Sequence, residues 1–159
     1  MEYFIIRKIV IEEYSPSNEV IEKFDKVICL SRENNIDSAI SFINANNNYL
    51  GGAISPGLRL RYEVLHQQTA KLPLLTKSYP ENIIGNSTQE SIHSGVVNGV
   101  ILEIDGFIEQ YKTQYDNFII ILTGGDAEFL AKRLKNTIFA NSNFLLESLN
   151  QIYQYNQND

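Results

Sequence analysis

The fold is organised around residues 51–61, which read Gly-Gly-Ala-Ile-Ser-Pro-Gly-Leu-Arg-Leu-Arg. This stretch follows an apolar, strand-like run and leads into a helix-like pattern, and it holds three of the nine glycines of the chain. Because glycine has no Cβ, such a turn lets the backbone approach a ligand closely. The helix that follows would point unpaired N–H groups at an anion. A plain strand-to-helix turn and a ligand loop are both consistent with this stretch alone.

The composition is that of a small acidic protein with enough apolar residues for one core. The chain has 159 residues, of which 43% are hydrophobic, so we expect one domain or one large lobe of something bigger. A formal net charge of -6 argues against a nucleic-acid binder, which needs a basic face, and against a polybasic membrane contact. No run approaches the roughly 18 uninterrupted apolar residues of a membrane span, and no signal-peptide pattern follows Met1.

Cysteine and histidine are too scarce to suggest a disulfide framework or a zinc site. Cys29 is the one cysteine, so no disulfide can form within the chain, and this usage fits a reducing cytosol. His66 and His93 complete no zinc-ligand spacing with it, and we interpret both as ordinary polar-face or packed residues. The sequence therefore predicts a cytoplasmic protein.

Apolar runs and chain breakers predict the elements of the first half. In chain order these are a strand over 3–11, a helix that Ser17 or Asn18 caps, a strand over 27–30, a hairpin of strands 38–43 and 49–54, a helix over 58–69 and a loop over 71–86. A loop of that length inside a compact domain is often functional. All nine glycines lie between residues 51 and 125, so a glycine-rich phosphate loop cannot lie in the first 50 residues.

A long helix is predicted over residues 88–115. Ser87 and Glu90 form a capping box at its start. Its apolar stripe consists of Ile92, Val96, Val100, Ile104, Phe107, Ile108 and Tyr111. Gly95 and Gly99 interrupt it, at about 1 kcal/mol each relative to alanine. We therefore expect these glycines to permit close approach of another helix or a ligand, or to lie at a subunit interface.

The last third of the chain alternates strands and helices, which indicates an α/β fold with a mixed or parallel sheet. The predicted elements are a buried strand over 118–122, a turn over 123–126, a helix over 127–135, a strand over 137–140 and a final helix that Asn143 caps. The turn Thr123-Gly124-Gly125-Asp126 joins a buried strand to a helix, and ligands of open α/β sheets bind beyond the carboxyl ends of strands. Together with residues 51–57 it suggests a nucleotide, although a plain turn explains each stretch alone.

Other polar side chains have two interpretations each. Thr88 presents a hydroxyl at a helix start or is a simple part of the cap. Arg59 and Arg61 contact an anionic group or are solvated helix charges. Asp37 and Asp126 are candidates to position a cation, and Asp126 is also explained as a first-turn acid that the helix dipole favours.

Several of these segments, in this order, resemble type III pantothenate kinase. They are residues 51–59, Leu65-His66, Thr69-Ala70-Lys71-Leu72-Pro73, Gly85-Asn86-Ser87-Thr88, Ser94-Gly95 and Thr123-Gly124-Gly125-Asp126. The resemblance runs from about residue 42 to about residue 155. It implies a ribonuclease-H-like lobe of the actin-like ATPase superfamily, with a mixed sheet and flanking helices. It also implies transfer of the ATP γ-phosphoryl group to pantothenate, which is the first step of coenzyme A synthesis. The family is dimeric and cytoplasmic, with ATP, a monovalent cation (potassium or ammonium) and Mg with ATP as cofactors.

The resemblance also assigns roles to individual residues. On the substrate side, Thr88 matches the threonine that contacts pantothenate, and Gly51 and Gly52 match a glycine turn near the cleft. Arg59 lies in the same resembling segment and is counted as a candidate substrate-binding residue. On the ATP side, Gly124 and Gly125 match the adenosine-side turn. The family's Asp-x-Gly-Thr stretch, whose aspartate holds the cation and whose threonine touches ATP, is matched by Asp37 and Ser38, without the glycine.

Two family segments have no match in these 159 residues. They are the Asp-x-Gly-Asn-Thr phosphate turn and the Gly-x-Asp-Arg segment whose aspartate is the general base, so no catalytic residue is identified. We therefore divide the chain into an unassigned strand–helix–strand head (1–36), a pantothenate-kinase-like carboxy-terminal lobe (37–155) and a frayed tail (156–159). The expected function is an impaired pantothenate kinase. The alternatives are a non-catalytic binding or dimerisation remnant that pairs with a full-length paralogue, and a truncated or mistranslated reading frame.

Overall fold

The computed structural model describes residues 26–32, 37–44, 49–115, 118–136 and 138–141, together with Asn150 and Tyr153. The predicted strand over 3–11 and the helix after Ser17 lie outside these residues. The predicted helix after Asn143 also lies outside them, except that Asn150 and Tyr153 are helical.

Five strands of the described chain form one mixed sheet in the order β3-β2-β1-β4-β5. They are β1 (Lys26–Arg32), β2 (Asp37–Asn44), β3 (Tyr49–Pro56), β4 (Phe118–Thr123) and β5 (Phe139–Asn141). β1 pairs antiparallel with β2, and β2 pairs antiparallel with β3, whereas β4 runs parallel to both β1 and β5. The predicted α/β class with a mixed sheet is confirmed. The central strand β1 belongs to the predicted head, so the sheet runs across the predicted boundary at residue 36.

The predicted hairpin is confirmed, and its glycine pair lies inside β3. Ile43 pairs with Tyr49 and Phe42 with Gly51, with an irregularity of register between Phe42 and Ile43. Gly51 has φ +121°, which L side chains rarely adopt, so glycine suits this irregular step of the ladder. The interpretation of Gly51 and Gly52 as a turn is therefore wrong. The chain turns at Gly57, one residue after β3 ends.

Three helical stretches of the described residues pack on this sheet. They are α1 (Leu58–Gln67), a long helix made of α2 (Thr88–His93), a π-helical turn (Ser94–Asn98) and α3 (Gly99–Gln114), and the short α4 (Ala127–Ala131). The long helix is confirmed in extent, and the Ser87 hydroxyl accepts a hydrogen bond from the Glu90 N–H at 3.2 Å. The sequence did not predict the π turn.

The prediction that α4 continues to residue 135 is wrong. The helix ends at Ala131, and the Arg133 N–H is donated back to the Leu130 carbonyl in a tight turn. The Lys135 N–H and the Asn136 side-chain amide are instead donated to the carboxylate of Asp105, which is buried on α3. These hydrogen bonds draw the backbone away from the helix axis before a further turn can form.

The core lies between one sheet face and the helices. Alternation along β4 directs Ile120 and Leu122 into this core, while Ile119, Ile121 and Thr123 are buried on the opposite face. The core residues of the helices are Leu58, Tyr62, Ile92, Val96, Val97, Val100, Ile101, Ile104, Ile108, Ala127 and Leu130. The predicted stripe of the long helix is confirmed. Val97 and Ile101 join it, because a π turn inserts an extra residue and shifts the buried face.

The expected close approach of another helix at Gly95 and Gly99 does not occur among the residues that the structure describes. A Cβ added to Gly95 would meet nothing within 4 Å, and one added to Gly99 would meet only the Arg61 guanidinium, at 3.9 Å. That is ordinary van der Waals contact, so neither glycine is required by packing within the chain. The subunit interface stays a prediction.

Candidate functional site

One edge of the sheet gathers the ends of strands from distant parts of the sequence. Arg32 of β1 pairs with Ser38 of β2, and Pro56 of β3 pairs with Asp37, so the carboxyl ends of β1 and β3 meet the amino end of β2. Leu30 of β1 pairs with Leu122 of β4, which ends one residue later. The edge thus holds Asp37, Ser38 and the turn that follows β4. Because β1 alone separates β2 from β4, about 10 Å separates those strands.

The turn after β4 contains a glycine with a positive φ. Gly124 has φ +94°, and its carbonyl accepts the Ala127 N–H at 3.0 Å, which closes the turn. A Cβ on Gly125 would meet no atom of the described residues within 4 Å, so the space beside this residue is open on the side that they form. Just before the turn, the Thr123 hydroxyl is buried, and it has no hydrogen-bond partner among the residues that the structure describes. A buried polar atom without a partner is uncommon, and such atoms often mark a functional position.

The loop over 71–86 is bound tightly to this turn. Lys77 Nζ lies 2.6 Å from Asp126 Oδ1 and 3.5 Å from the Gly125 carbonyl oxygen, and 5.3 Å from the centre of the Phe129 ring. The Tyr79 ring stacks on Phe129 with centroids 4.1 Å apart, and its hydroxyl donates to the Phe129 carbonyl. The Arg133 guanidinium lies 4.7 Å from the Tyr79 ring centre. The sequence offered no signal for Lys77, because its partners follow about 50 residues later.

The other end of the 71–86 loop is bound to the start of the long helix. The Ser94 hydroxyl donates to the Ile83 carbonyl at 2.5 Å, and the Ser91 hydroxyl donates to the Gly85 carbonyl at 3.4 Å. Thr88, the first residue of α2, is exposed just beyond this anchor. The structure therefore presents the Thr88 side chain to solvent on a well-fixed helix start.

The two histidines have structural partners. The Tyr62 hydroxyl lies 2.8 Å from His93 Nδ1, and both side chains are buried where α1 meets the long helix. Burial raises the pKa of the Tyr62 phenol to about 12, against the opposing effect of a hydrogen bond with the Ser78 backbone. His66 Nδ1 lies 2.8 Å from the Leu72 carbonyl oxygen and is exposed. The interpretation of both as packed or polar-face residues is confirmed.

The two arginines of α1 differ in their surroundings. Arg61 Nε donates to the Pro56 carbonyl at 2.6 Å, and its Nη2 lies 2.5 Å from Glu103, so this side chain links the end of β3 to α3. Arg59 is exposed in the first turn of α1 and pairs with Glu63 at 2.8 Å. Its role as a substrate contact stays a prediction.

The remaining predicted residues are placed by strand register. Gly52 pairs with Ser41 and Gly51 with Phe42, so they lie three and four residues along β3 from Ser55, away from the edge that holds Ser38. For the predicted cation at Asp37, no group of three metal-ligating side chains occurs in the described part of the chain. No described helix is long and apolar enough to cross a membrane.

Comparison with known proteins links this site to one family. The profile of type III pantothenate kinase matches residues 38–110, a range that includes Ser38, Gly51, Gly52, Arg59 and Thr88. A type III pantothenate kinase of Flavobacterium johnsoniae is 75% identical over 114 residues, which are 72% of this chain and 47% of that protein. Over residues 38–110 the chain matches the type III pantothenate kinase family. The corresponding enzyme of Flavobacterium psychrophilum is 69% identical over 114 residues, with the same coverage of 72% and 47%.

The match to type III pantothenate kinases is therefore high in identity and partial in length. The chain spans about half the length of the curated relatives that it matches. Among solved structures, a Campylobacter jejuni protein named as a conserved transcriptional activator of the Baf family has the same fold, with a TM-score of 0.56. It is 21% identical, and the match covers 86% of this chain and 60% of that one. At this identity the likeness concerns the fold alone.

Proposed function

We propose that the chain is the carboxy-terminal lobe of a type III pantothenate kinase, with a pantothenate contact at Thr88 and an ATP contact at Gly124 and Gly125. The reaction of the whole enzyme is ATP-dependent phosphorylation of pantothenate to 4'-phosphopantothenate, in coenzyme A synthesis. The observation that carries the proposal is the 75% identity over 114 residues to a curated member of the family. The division into a head (1–36), a lobe (37–155) and a tail (156–159) is part of the same proposal.

The ribonuclease-H-like fold is the finer part of the structural proposal. Three antiparallel strands, β1 to β3, are followed in the sheet by two strands that run parallel to β1. Helices pack on this mixed sheet, and strand ends gather at one edge, as ligand-binding α/β sheets require. These features support an actin-like ATPase lobe.

The chain's own residues would bind and orient the reactants. When bound, ATP supplies the phosphoryl group, and catalysis of its transfer depends mainly on positioning and on charge stabilisation. The positive φ of Gly124 and the open space beside Gly125 suit a nucleotide lying against backbone. Ser38 lies at the same sheet edge, and the exposed Thr88 is a hydroxyl for pantothenate. Gly51, Gly52 and Arg59 complete the proposed substrate side.

The proposal extends to cofactors and partners. Asp37 is the proposed holder of a monovalent cation, potassium or ammonium, and Mg accompanies ATP. A homodimer in the cytoplasm, without nucleic-acid or membrane contact, is proposed. Asp37 is the one residue proposed to hold the cation.

Turnover by the chain alone is expected to be weak. The sequence contains neither the family's phosphate turn nor its general-base segment. General-base catalysis alone typically contributes about 10²–10⁴-fold to rate. The non-catalytic alternative is a binding or dimerisation remnant that pairs with a full-length paralogue.

A kinase assay tests the proposal. Purified chain is incubated with ATP and pantothenate, and 4'-phosphopantothenate is quantified by mass spectrometry, with the Flavobacterium johnsoniae enzyme as positive control. We expect product far below that of the control. Turnover equal to the control would contradict the proposed impairment. The chain is also mixed with a full-length family member. Product above the sum of the amounts that the two proteins form separately would favour the remnant that pairs with a paralogue.

A further inference from the structure

The 71–86 loop connects the two sides of the proposed site. Its middle is bound through Lys77 and Tyr79 to the turn and helix after β4. Its end is bound at the Ile83 and Gly85 carbonyls to the start of the long helix, next to Thr88. One short segment thus contacts both the nucleotide-side turn and the substrate-side helix.

We propose that Lys77 is a positioning residue, which fixes the Gly124–Gly125 turn in the conformation that receives the nucleotide. The inference rests on the proposed function. Two consecutive glycines leave the backbone unusually free to change conformation, so an unsupported turn would lose entropy on binding a ligand. Lys77 reaches both the Gly125 carbonyl oxygen, at 3.5 Å, and Asp126, at 2.6 Å. It therefore restrains the turn at two adjacent residues.

The burial of Asp126 makes this contact stronger than an ordinary surface ion pair. The Asp126 side chain is only 9% exposed, whereas that of Lys77 is 42% exposed. A buried carboxylate is stabilised by a nearby cation, and a charge-assisted hydrogen bond of this length is stronger than a neutral one. The Phe129 ring lies 5.3 Å from Lys77 Nζ and adds a favourable contact for the ammonium group.

A second anchor keeps the loop in place when Lys77 is changed. Tyr79 stacks on Phe129 at 4.1 Å, and Pro80 beside it is fully buried. Removal of the Lys77 charge is therefore expected to loosen the turn without unfolding the loop. This separation lets a variant report on positioning rather than on folding.

The experiment measures ATP and pantothenate affinities of the full chain by isothermal titration. Lys77→Met is compared with Lys77→Arg and with Lys112→Met, a control in which an exposed lysine loses its contacts with Glu109 and Asn136, remote from the turn after β4. We expect Lys77→Met to raise the ATP Kd about ten-fold, Lys77→Arg to restore most of the affinity, and Lys112→Met to match wild type. The pantothenate Kd of every variant is expected to stay within about two-fold of the wild-type value. An unchanged ATP Kd in Lys77→Met overturns the inference.

Hydrogen exchange separates this inference from the proposed function. Amide exchange of residues 124–127 is measured without ligand in wild type and in the same variants. Faster exchange in Lys77→Met alone supports positioning of the turn by Lys77, and exchange equal to wild type overturns it. Absence of ATP binding by wild-type chain overturns the proposed function, and the exchange result then decides the role of Lys77 independently.

Discussion

Gly85 lies where no side chain fits. A Cβ on Gly85 would stand 2.3 Å from the Ser91 backbone nitrogen, against the first turn of the long helix. This glycine belongs to a segment that resembles the family, and its packing gives a physical reason for its presence there. Gly106 is the opposite case, since a Cβ at that position of α3 would meet nothing within 4 Å.

These two glycines give a matched prediction for stability. Gly85→Ala is expected to lower the free energy of unfolding by about 1–3 kcal/mol, because backbone atoms must move to admit the methyl group. Gly106→Ala is expected to raise it by up to about 1 kcal/mol, from helix propensity. Denaturant unfolding followed by circular dichroism measures both. Equal effects of the two substitutions would contradict the packing of the 71–86 loop on α2.

Thr123 carries a hydroxyl whose removal is expected to be harmless to folding. Its Oγ1 is buried without a hydrogen-bond partner among the described residues, so Thr123→Val removes a polar atom that burial disfavours. We expect an unchanged or higher melting temperature for this variant. The control is Ile121→Thr, on the same face of β4, which is expected to cost about 1–3 kcal/mol by burying a new hydroxyl. A large loss of stability in Thr123→Val would show that the hydroxyl has a partner.

At the level of helices and strands, the sequence predicted the elements that are determined by residues close together in the chain. The β2–β3 hairpin and the long helix follow from apolar periodicity and from the Ser87 cap, which act within a few residues. The π turn and the early end of α4 depend on tertiary contacts instead. The Asp105 carboxylate, 30 residues earlier in the sequence, accepts the Lys135 N–H, so Lys135 does not continue α4. Periodicity cannot show such a contact.

The junction of α1 with the long helix predicts a specific response to alkaline pH. Burial raises the pKa of Tyr62 to about 12 from its ordinary value of 10.0. Below pH 10 the phenol keeps its proton in the folded and unfolded states. Between pH 10 and 12 the unfolded state loses the proton first, so stability should fall by up to roughly 3 kcal/mol relative to neutral pH.

Tyr62→Phe provides the control for this pH dependence. Urea unfolding at intervals from pH 9 to 12 measures the slope for both chains. The variant is expected to be less stable near pH 9, because it loses the contact with His93 Nδ1, and to show a shallower decline above pH 10. Identical slopes would indicate that the Tyr62 phenol is accessible to solvent.

On the scale of the whole molecule, the sequence predicted the class of fold. It also named most residues of the candidate site, whose roles stay predictions. The turn after β4 and Gly57 after β3 lie at the edge of the sheet that holds Ser38, whereas Gly51 and Gly52 lie inside β3, away from that edge. Strand order was not predictable, because β1 pairs with β4, which lies far along the sequence: Lys26 pairs with Phe118. For the same reason Lys77 was not recognised. Gly51 and Gly52 were assigned to a turn because glycine pairs are typical of turns, whereas here they lie at an irregular step of the β2–β3 ladder.

The central claim is that the chain retains contacts for both reactants of a type III pantothenate kinase. The most direct test is isothermal titration of ATP, and separately of pantothenate, into the purified chain. We predict saturable binding of each ligand at one site per chain, with pantothenate affinity lost in Thr88→Val while ATP affinity is kept. A chain that melts cooperatively yet binds neither ligand would contradict the claim.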